Sequence, residues 1–165
     1  SRYDTTTGRR IKLEDRIGFL DRKLRIVNEN TDNLKDWMDA AVTAYQTSKA
    51  YEWQGDNLLL ARESLLYTFI DNYEFKFGER PDREHVKEIA FIISWNVWQM
   101  DGLKGVIPNS CHDVETRNLY GEVERTPCPG CKTKNIHKHN GIPVLLKVFS
   151  SGNTYPYHLL YNKNE

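Results

Sequence analysis

The stretch Ser94 to Cys111, SWNVWQMDGLKGVIPNSC, decides how the chain is read. It holds two tryptophans, a methionine, an aspartate followed by glycine, then a proline and a cysteine. Trp95 and Val97 alternate with Asn96 and Trp98, which is the two-residue period of a strand. SWNVWQMD therefore reads as a short strand that ends in a turn at Met100-Asp101-Gly102. Aromatics beside a lone acid suit either a packed strand or the wall of a pocket for a flat, nitrogen-rich ligand. Position divides the two. Trp95 and Trp98 are assigned to packing between sheet and helix. Asp101 stands at the strand end, where open α/β sheets hold ligands.

Working upstream, REHVKEIAFII reads as a helix started by Pro81 or Asp82. Before it, NLLLARESLLYTFIDNYEFKF reads as a long helix with Asp56 as its N-cap and Gly78 at its end. Ahead of that helix, Ala50-Tyr51-Glu52-Trp53 is short and aromatic and is closed by Gly55, the pattern of another brief strand. Apolar residues at Ile11, Leu13, Ile17, Leu20, Leu24 and Val27 mark an amphipathic helix to about Asn28. A second helix through Leu34, Trp37, Met38, Ala41 and Tyr45 is capped by Thr31 or Asp32. Downstream, residues 104–127 look irregular. IPVLLKVFSSGNTYPYHLLYNK gives two strand-like runs around Ser151-Gly152-Asn153, a hairpin signal. Residues 1–10 are polar and ordered only through contact with something else.

The order helix, strand, helix, helix, strand predicts an α/β layer with parallel strands. Glu52 and Asp101 then both lie at strand ends. A carboxylate in that place, followed by a helix N-terminus, is the usual grip on a ribose. The plainer reading of the same spacing is a solvated loop acid at Glu52 and a turn acid at Asp101. Trp53 divides evenly between core packing and an aromatic wall.

The chain has 165 residues, with 23 basic and 23 acidic side chains. A balanced charge supplies no global basic field, so nucleic-acid contact needs a local basic patch or further chain segments. Aromatics at 12% argue against disorder. No apolar run reaches membrane length and no signal peptide is evident, so a soluble, cytoplasmic chain without membrane partners is expected. A start at SRYDTTTGRR without methionine suggests a processed chain, a tag remnant or an excised fragment. Residues 1–110 are expected to form the helical and α/β part, and residues 111–165 a Cys/His loop and hairpin of the same domain.

Two of these segments resemble N6-adenine DNA methyltransferases of bacterial restriction–modification systems. AYEWQGDNLLLARESLL looks like the segment in which a strand ends in an acid, a turn leads to Asp-Asn, and a helix with an Ala-Arg pair follows. Glu52 falls on the acid that binds the ribose hydroxyls of S-adenosylmethionine, and Trp53 on the apolar residue beside the adenine. Asp56, Asn57, Ala61 and Arg62 fall on the helix start. NVWQMDGL resembles the next segment. Asp101 matches the acid that accepts from the adenine amino group, while Asn96, Val97 and Leu103 match its framing positions. Met100 would pack on the ring opposite Trp53. The resemblance covers roughly Ala41 to Ile142.

Two family segments have no match here. The glycine-rich turn that cradles the methionine part of the cofactor is missing, for RIGFLDRKL offers only Gly18. The catalytic Asn-Pro-Pro-Tyr is missing too: Asn109 follows Pro108, and NTYPYH offers Tyr155 and Tyr157 without that motif. The resemblance thus implies a partial Rossmann-like methyltransferase layer with a helix-rich N-terminal half. It would contribute the adenosine pocket, no catalytic residue, and work with DNA and the remaining methyltransferase segments or restriction–modification subunits. Whether the chain is a fragment, one half of a split enzyme or a degenerate relative stays open.

Cysteine usage points elsewhere. Three cysteines cannot build a disulfide framework. Cys128-Pro-Gly-Cys131 puts two thiols on one side of a tight loop, which suits tetrahedral zinc. With Cys111 and one of His137 or His139, four ligands fall within one stretch, a zinc-knuckle-like loop with no open position. Its role would be to staple a region poor in apolar residues. The competing readings are unpaired thiols or a redox pair, the latter without a thioredoxin-like context. Lys132, Lys134, Lys138 and His139 form a small basic patch that fits either solvent or DNA phosphate. The alternative function is accordingly a non-catalytic, zinc-stapled DNA- or protein-binding module derived from, or inserted in, such a methylase.

Overall fold

The computed structural model describes residues 2–4 and 6–161. Parts of three expectations lie outside them: Ser1 and Thr5 of the polar N-terminal segment, residues 162–163 of the last strand-like run, and residues 162–165 of the 111–165 part. The fold is mixed α/β, with five α-helices and three separate two-stranded sheets among the described residues. A single layered sheet of parallel strands is not what these strands build. Each is three or four residues long, and two of the three pairs are antiparallel. The chain divides into two compact units, one of Ser1–Ala50 and Leu59–Val97, the other of Tyr51–Leu58 and Trp98–Glu165.

The first unit is helical. It contains α1 (Phe19–Asn30), α2 (Leu34–Gln46), most of α3 (Gly55–Phe77) and α4 (Arg83–Asn96). Helix α1 starts later than its periodicity predicts: a 3-10 turn occupies Leu13–Asp15, Gly18 is the N-cap, and Ile17 is largely exposed. Asn33, not Thr31 or Asp32, caps α2, its side chain accepting from the Asp36 N–H at 3.0 Å. Asp82 caps α4 by accepting from the His85 N–H at 2.9 Å.

Apolar stripes of these helices meet around Trp37, which is fully buried. Its ring lies 5.5–5.7 Å from Phe69, Tyr73 and Phe77, the last two edge-on. Its Nε1 donates to Asn28 Oδ1 at 2.7 Å, and Asn28 Nδ2 donates to Asn72 Oδ1 at 2.9 Å. The indole is thus buried without leaving its N–H orphaned. Leu20, Leu24, Ala41, Tyr45, Ile89, Ile92 and Ile93 complete the core.

Helix α4 runs through Trp95 and Asn96, which the strand pattern had claimed. Only Val97–Gln99 is extended, as β2. The helix persists because Asn96 is more useful there. Its amide donates to the carbonyls of Tyr45 at 2.8 Å and Gln46 at 2.9 Å, closing the end of α2, and its Oδ1 accepts from Lys49 Nζ at 2.9 Å. Arg62 of α3 seals the same junction by donating twice to the Val97 carbonyl, at 2.7 and 3.0 Å.

The second unit is built from turns and hairpins. Strand β1 (Ala50–Glu52) pairs with β2, and the Glu52 carbonyl accepts from the Met100 N–H at 2.9 Å. After β2 the chain turns tightly. The Asp101 carbonyl accepts from Lys104 and Gly105, and the Asp101 N–H donates to the Val106 carbonyl. Val106 bridges on to Pro143, leading into the hairpin of β5 (Leu145–Lys147) and β6 (Thr154–Pro156), whose register pairs Leu146 with Tyr155. Met100, Val106, Val144 and Leu146 are the buried apolar residues of this short ladder. The stretch expected to be irregular contains an antiparallel hairpin, β3 (Val114–Arg117) with β4 (Val123–Thr126). A one-turn helix, α5 (Pro129–Thr133), follows it. No helix among the described residues is long and apolar enough to cross a membrane.

Candidate metal centre

Four side chains converge in the second unit. One ligand atom each from Cys111, Cys128, Cys131 and His139 lies within 4.8 Å of all the others. Each is placed by a local device. Cys111 follows a turn in which the Ser110 N–H donates to the Ile107 carbonyl and Asn109 takes a left-handed φ of 61°. Cys128 and Cys131 flank the start of α5, where Pro129 occupies the first turn and the Lys132 N–H donates to the Cys128 carbonyl at 2.9 Å. Lys134, at φ 53°, ends that helix in the left-handed conformation. The chain then passes a 3-10 turn at Ile136–Lys138 and delivers His139.

The His139 Nδ1 atom is 3.5 Å from Cys111 Sγ and 3.7 Å from both Cys128 Sγ and Cys131 Sγ. A tetrahedral ion with ordinary thiolate and imidazole bond lengths requires S···N edges of about 3.6 Å. The three S···N edges match that value, and the four atoms are close enough together to hold a metal ion.

Two glycines make room for this. A Cβ on Gly130 would lie 2.5 Å from the His139 backbone nitrogen and 2.7 Å from its Nδ1, and one on Gly141 would lie 2.5 Å from Ser110 Oγ and 3.2 Å from Cys111 Sγ. Asn140 ties the ligand segments together. Its backbone N–H points at Cys128 Sγ from 3.4 Å, while its side chain accepts from the His112 N–H at 3.2 Å and donates to the His112 carbonyl at 2.8 Å. Ser110 Oγ adds a second tie by accepting from the Ile142 N–H at 3.0 Å. Sequence reasoning read Gly130 as part of the Cys-Pro-Gly-Cys knuckle but did not single out Asn140, Ser110 or Gly141. The Asn-Gly pair directly after a candidate ligand was the available signal.

The electrostatics also suit a cation. Burial opposes ionisation of Cys128, but N–H donors from Asn140, Cys131 and Gly130 and the His139 ring outweigh it and bring the thiol down to about 6. Cys111 is pushed up to about 11, first by burial and then by hydrogen bonding to, and the charge of, Cys128 and Cys131. A metal ion would supply the positive charge that lets Cys111 and Cys128 be thiolates together.

Of the two histidines open from sequence, His139 joins the cluster. His137 sits in the 3-10 turn with its ring edge-on to His158, at 5.7 Å between centroids. The basic side chains Lys132 and Lys134 lie exposed beside the knuckle.

The other candidate residues lie at the β1–β2 end of the same unit. Glu52 is half-buried, and its carboxylate accepts from the Gln54 N–H at 3.0 Å. Trp53 is half-exposed, and its carbonyl accepts from Gln99 Nε2 at 2.9 Å. Met100 and Asp101 are both buried. The Asp101 carboxylate accepts from the Leu103 N–H at 3.1 Å and pairs with Lys104 Nζ at 3.2 Å. Asp101, followed by the field of Cys131 and Cys111, raises the Lys104 ammonium above its usual range. The strand pairing brings Glu52 and Met100-Asp101 to neighbouring positions. Leu103, a framing position of the resemblance, is almost fully exposed. No family model, curated protein or solved structure matches the chain.

Proposed function

We propose that Cys111, Cys128, Cys131 and His139 bind one structural zinc ion, and that the stapled unit belongs to an S-adenosylmethionine-dependent, adenine-N6 DNA methyltransferase. The observation that carries the zinc reading is the set of three S···N edges at 3.5–3.7 Å. Thiolate-rich, four-coordinate sites favour zinc, and with all four positions filled by protein the ion has structural work only. It would replace the apolar core that residues 107–143 lack, since Val114–Arg117 and Val123–Thr126 bury almost none of their side chains.

The methyltransferase reading rests on the order of the two motif segments and on the pairing of the strands that carry them. With the Met100 N–H bonded to the Glu52 carbonyl, an acid for the ribose and an acid for the adenine amine stand at neighbouring strand ends. In this reading Trp53 and Met100 would face the ring, S-adenosylmethionine would supply the methyl group, and the rest of a Rossmann-like layer would have to come from outside these short sheets. Catalytic and methionine-binding segments would come from other parts of the protein, with DNA as the substrate.

The Asp101 contacts favour a second reading. Its carboxylate already holds Lys104 and the Leu103 N–H, as a purely structural turn acid would. In that case the unit is a zinc-stapled binding module without cofactor affinity. Calorimetry with S-adenosylhomocysteine on the complete protein separates the two. Binding that disappears in Asp101→Ala supports the pocket, whereas no binding, or the same affinity in the variant, leaves the module.

A further inference from the structure

Asp71 of α3 stands among more positive charge than it can balance. Its Oδ1 accepts from Arg2 Nη2 at 3.0 Å and Arg10 Nη2 at 2.8 Å. Its Oδ2 accepts from Arg2 Nε at 2.9 Å and pairs with Arg16 Nη1 at 2.8 Å. Four such contacts fill the acceptor positions of a carboxylate. A cavity of about 290 Å3 opens on this cluster, lined by Arg2, Arg10, Arg80, Asp71, Glu74 and Tyr67 among others. Glu74 is engaged by Arg80 Nε at 2.8 Å. With Arg16 buried behind Asp71, four guanidiniums face two carboxylates, an excess of two positive charges.

Arg2 and Arg16 are largely withdrawn from water and share the single Asp71 carboxylate, a costly imbalance that an anion held with the exposed Arg10 and Arg80 would close. We infer that this cavity binds a tetrahedral oxyanion of the phosphate class. Asp71 positions the guanidiniums, and Tyr67 backs Arg2, whose Cζ lies 4.5 Å from the ring centroid. The Arg10 and Arg80 side chains are 58% and 86% exposed, so their remaining N–H groups face solvent and can fork onto phosphate oxygens. The cluster lies wholly in the helical unit and owes nothing to the metal centre or to the methyltransferase reading.

Titration of the full chain with inorganic phosphate, at ionic strength matched with chloride, tests it. Saturable binding is expected, weakened about tenfold in Arg10→Gln and in Arg80→Gln, with far-UV circular dichroism unchanged. Each variant removes an exposed fork and leaves the Arg2–Asp71 and Arg16–Asp71 pairs in place; Arg10→Gln gives up its own bond to Asp71, whereas Arg80→Gln leaves every Asp71 contact intact. Absence of saturable binding, or undiminished affinity in both variants, overturns the site. A short DNA duplex added as competitor identifies the source. Displacement of phosphate assigns the site to a nucleic-acid backbone, and failure to displace assigns it to free phosphate.

Discussion

At Gly130 an added Cβ would come within 2.5–2.7 Å of the His139 backbone nitrogen and ring atoms. Gly130→Ala should therefore push His139 out of reach of the three sulfurs. The expected result is a large loss of metal affinity, measured by competition with a chromophoric chelator; equal affinity would show that His139 is dispensable. The cysteine ligands were legible because a Cys-x-x-Cys turn fixes two thiols by itself. The histidine was not. His137 and His139 differ by two residues, and the 3-10 turn and the space over Gly130 choose between them. Asp71 supports a second test at this scale. Burial alone would raise its carboxyl, but the hydrogen bonds and charges of Arg2 and Arg16 hold it below its usual range. The unfolded carboxyl titrates at about 3.9, so the stabilisation is complete above that pH and is lost as pH falls through the depressed folded value. Asp71→Asn should cost about 3 kcal/mol at neutral pH by denaturant unfolding, because it strands buried guanidinium charge. Its stability should also fall less steeply than the wild type's on acidification. A variant with the wild-type acid slope would show that Asp71 does not carry this dependence.

Helix α4 and strand β2 show where pattern reading stops at the scale of elements. The alternation through Trp95–Trp98 is genuine, yet the helix continues to Asn96. What decides is Asn96 reaching the open carbonyls of Tyr45 and Gln46 on α2, a tertiary contact that local alternation does not encode. Asn96→Ala should destabilise the chain by about 1–3 kcal/mol in urea unfolding, because buried acceptors lose their donor. No change would mean that water replaces the amide. The long helices α2, α3 and α4 were legible from their spacing and from Asp82 and Gly78 at their ends. The β3–β4 hairpin was not. Its strands bury neither face, so there is no alternation to read, and its register is fixed by pairings such as Glu115 with Arg125, whose side chains also bridge at 2.8 Å.

At the scale of the molecule, two units rely on different sources of stability. The helical unit buries a continuous apolar core around Trp37. The other buries few apolar side chains, and its ligands are drawn from three separate segments. Chelation should accordingly melt residues 98–161 while the helices persist. Hydrogen exchange should show protection lost across 107–143 and retained in α2 and α4; uniform protection would deny the staple. The α/β class was visible from the order of elements, whereas the separation into three small sheets was not, because strand length and pairing depend on contacts between distant segments. Elemental analysis of the purified full chain bears on the metal centre without intermediaries. About one zinc per chain, and none in Cys128→Ser, is expected. A wild-type chain that is fully folded and free of metal would refute it.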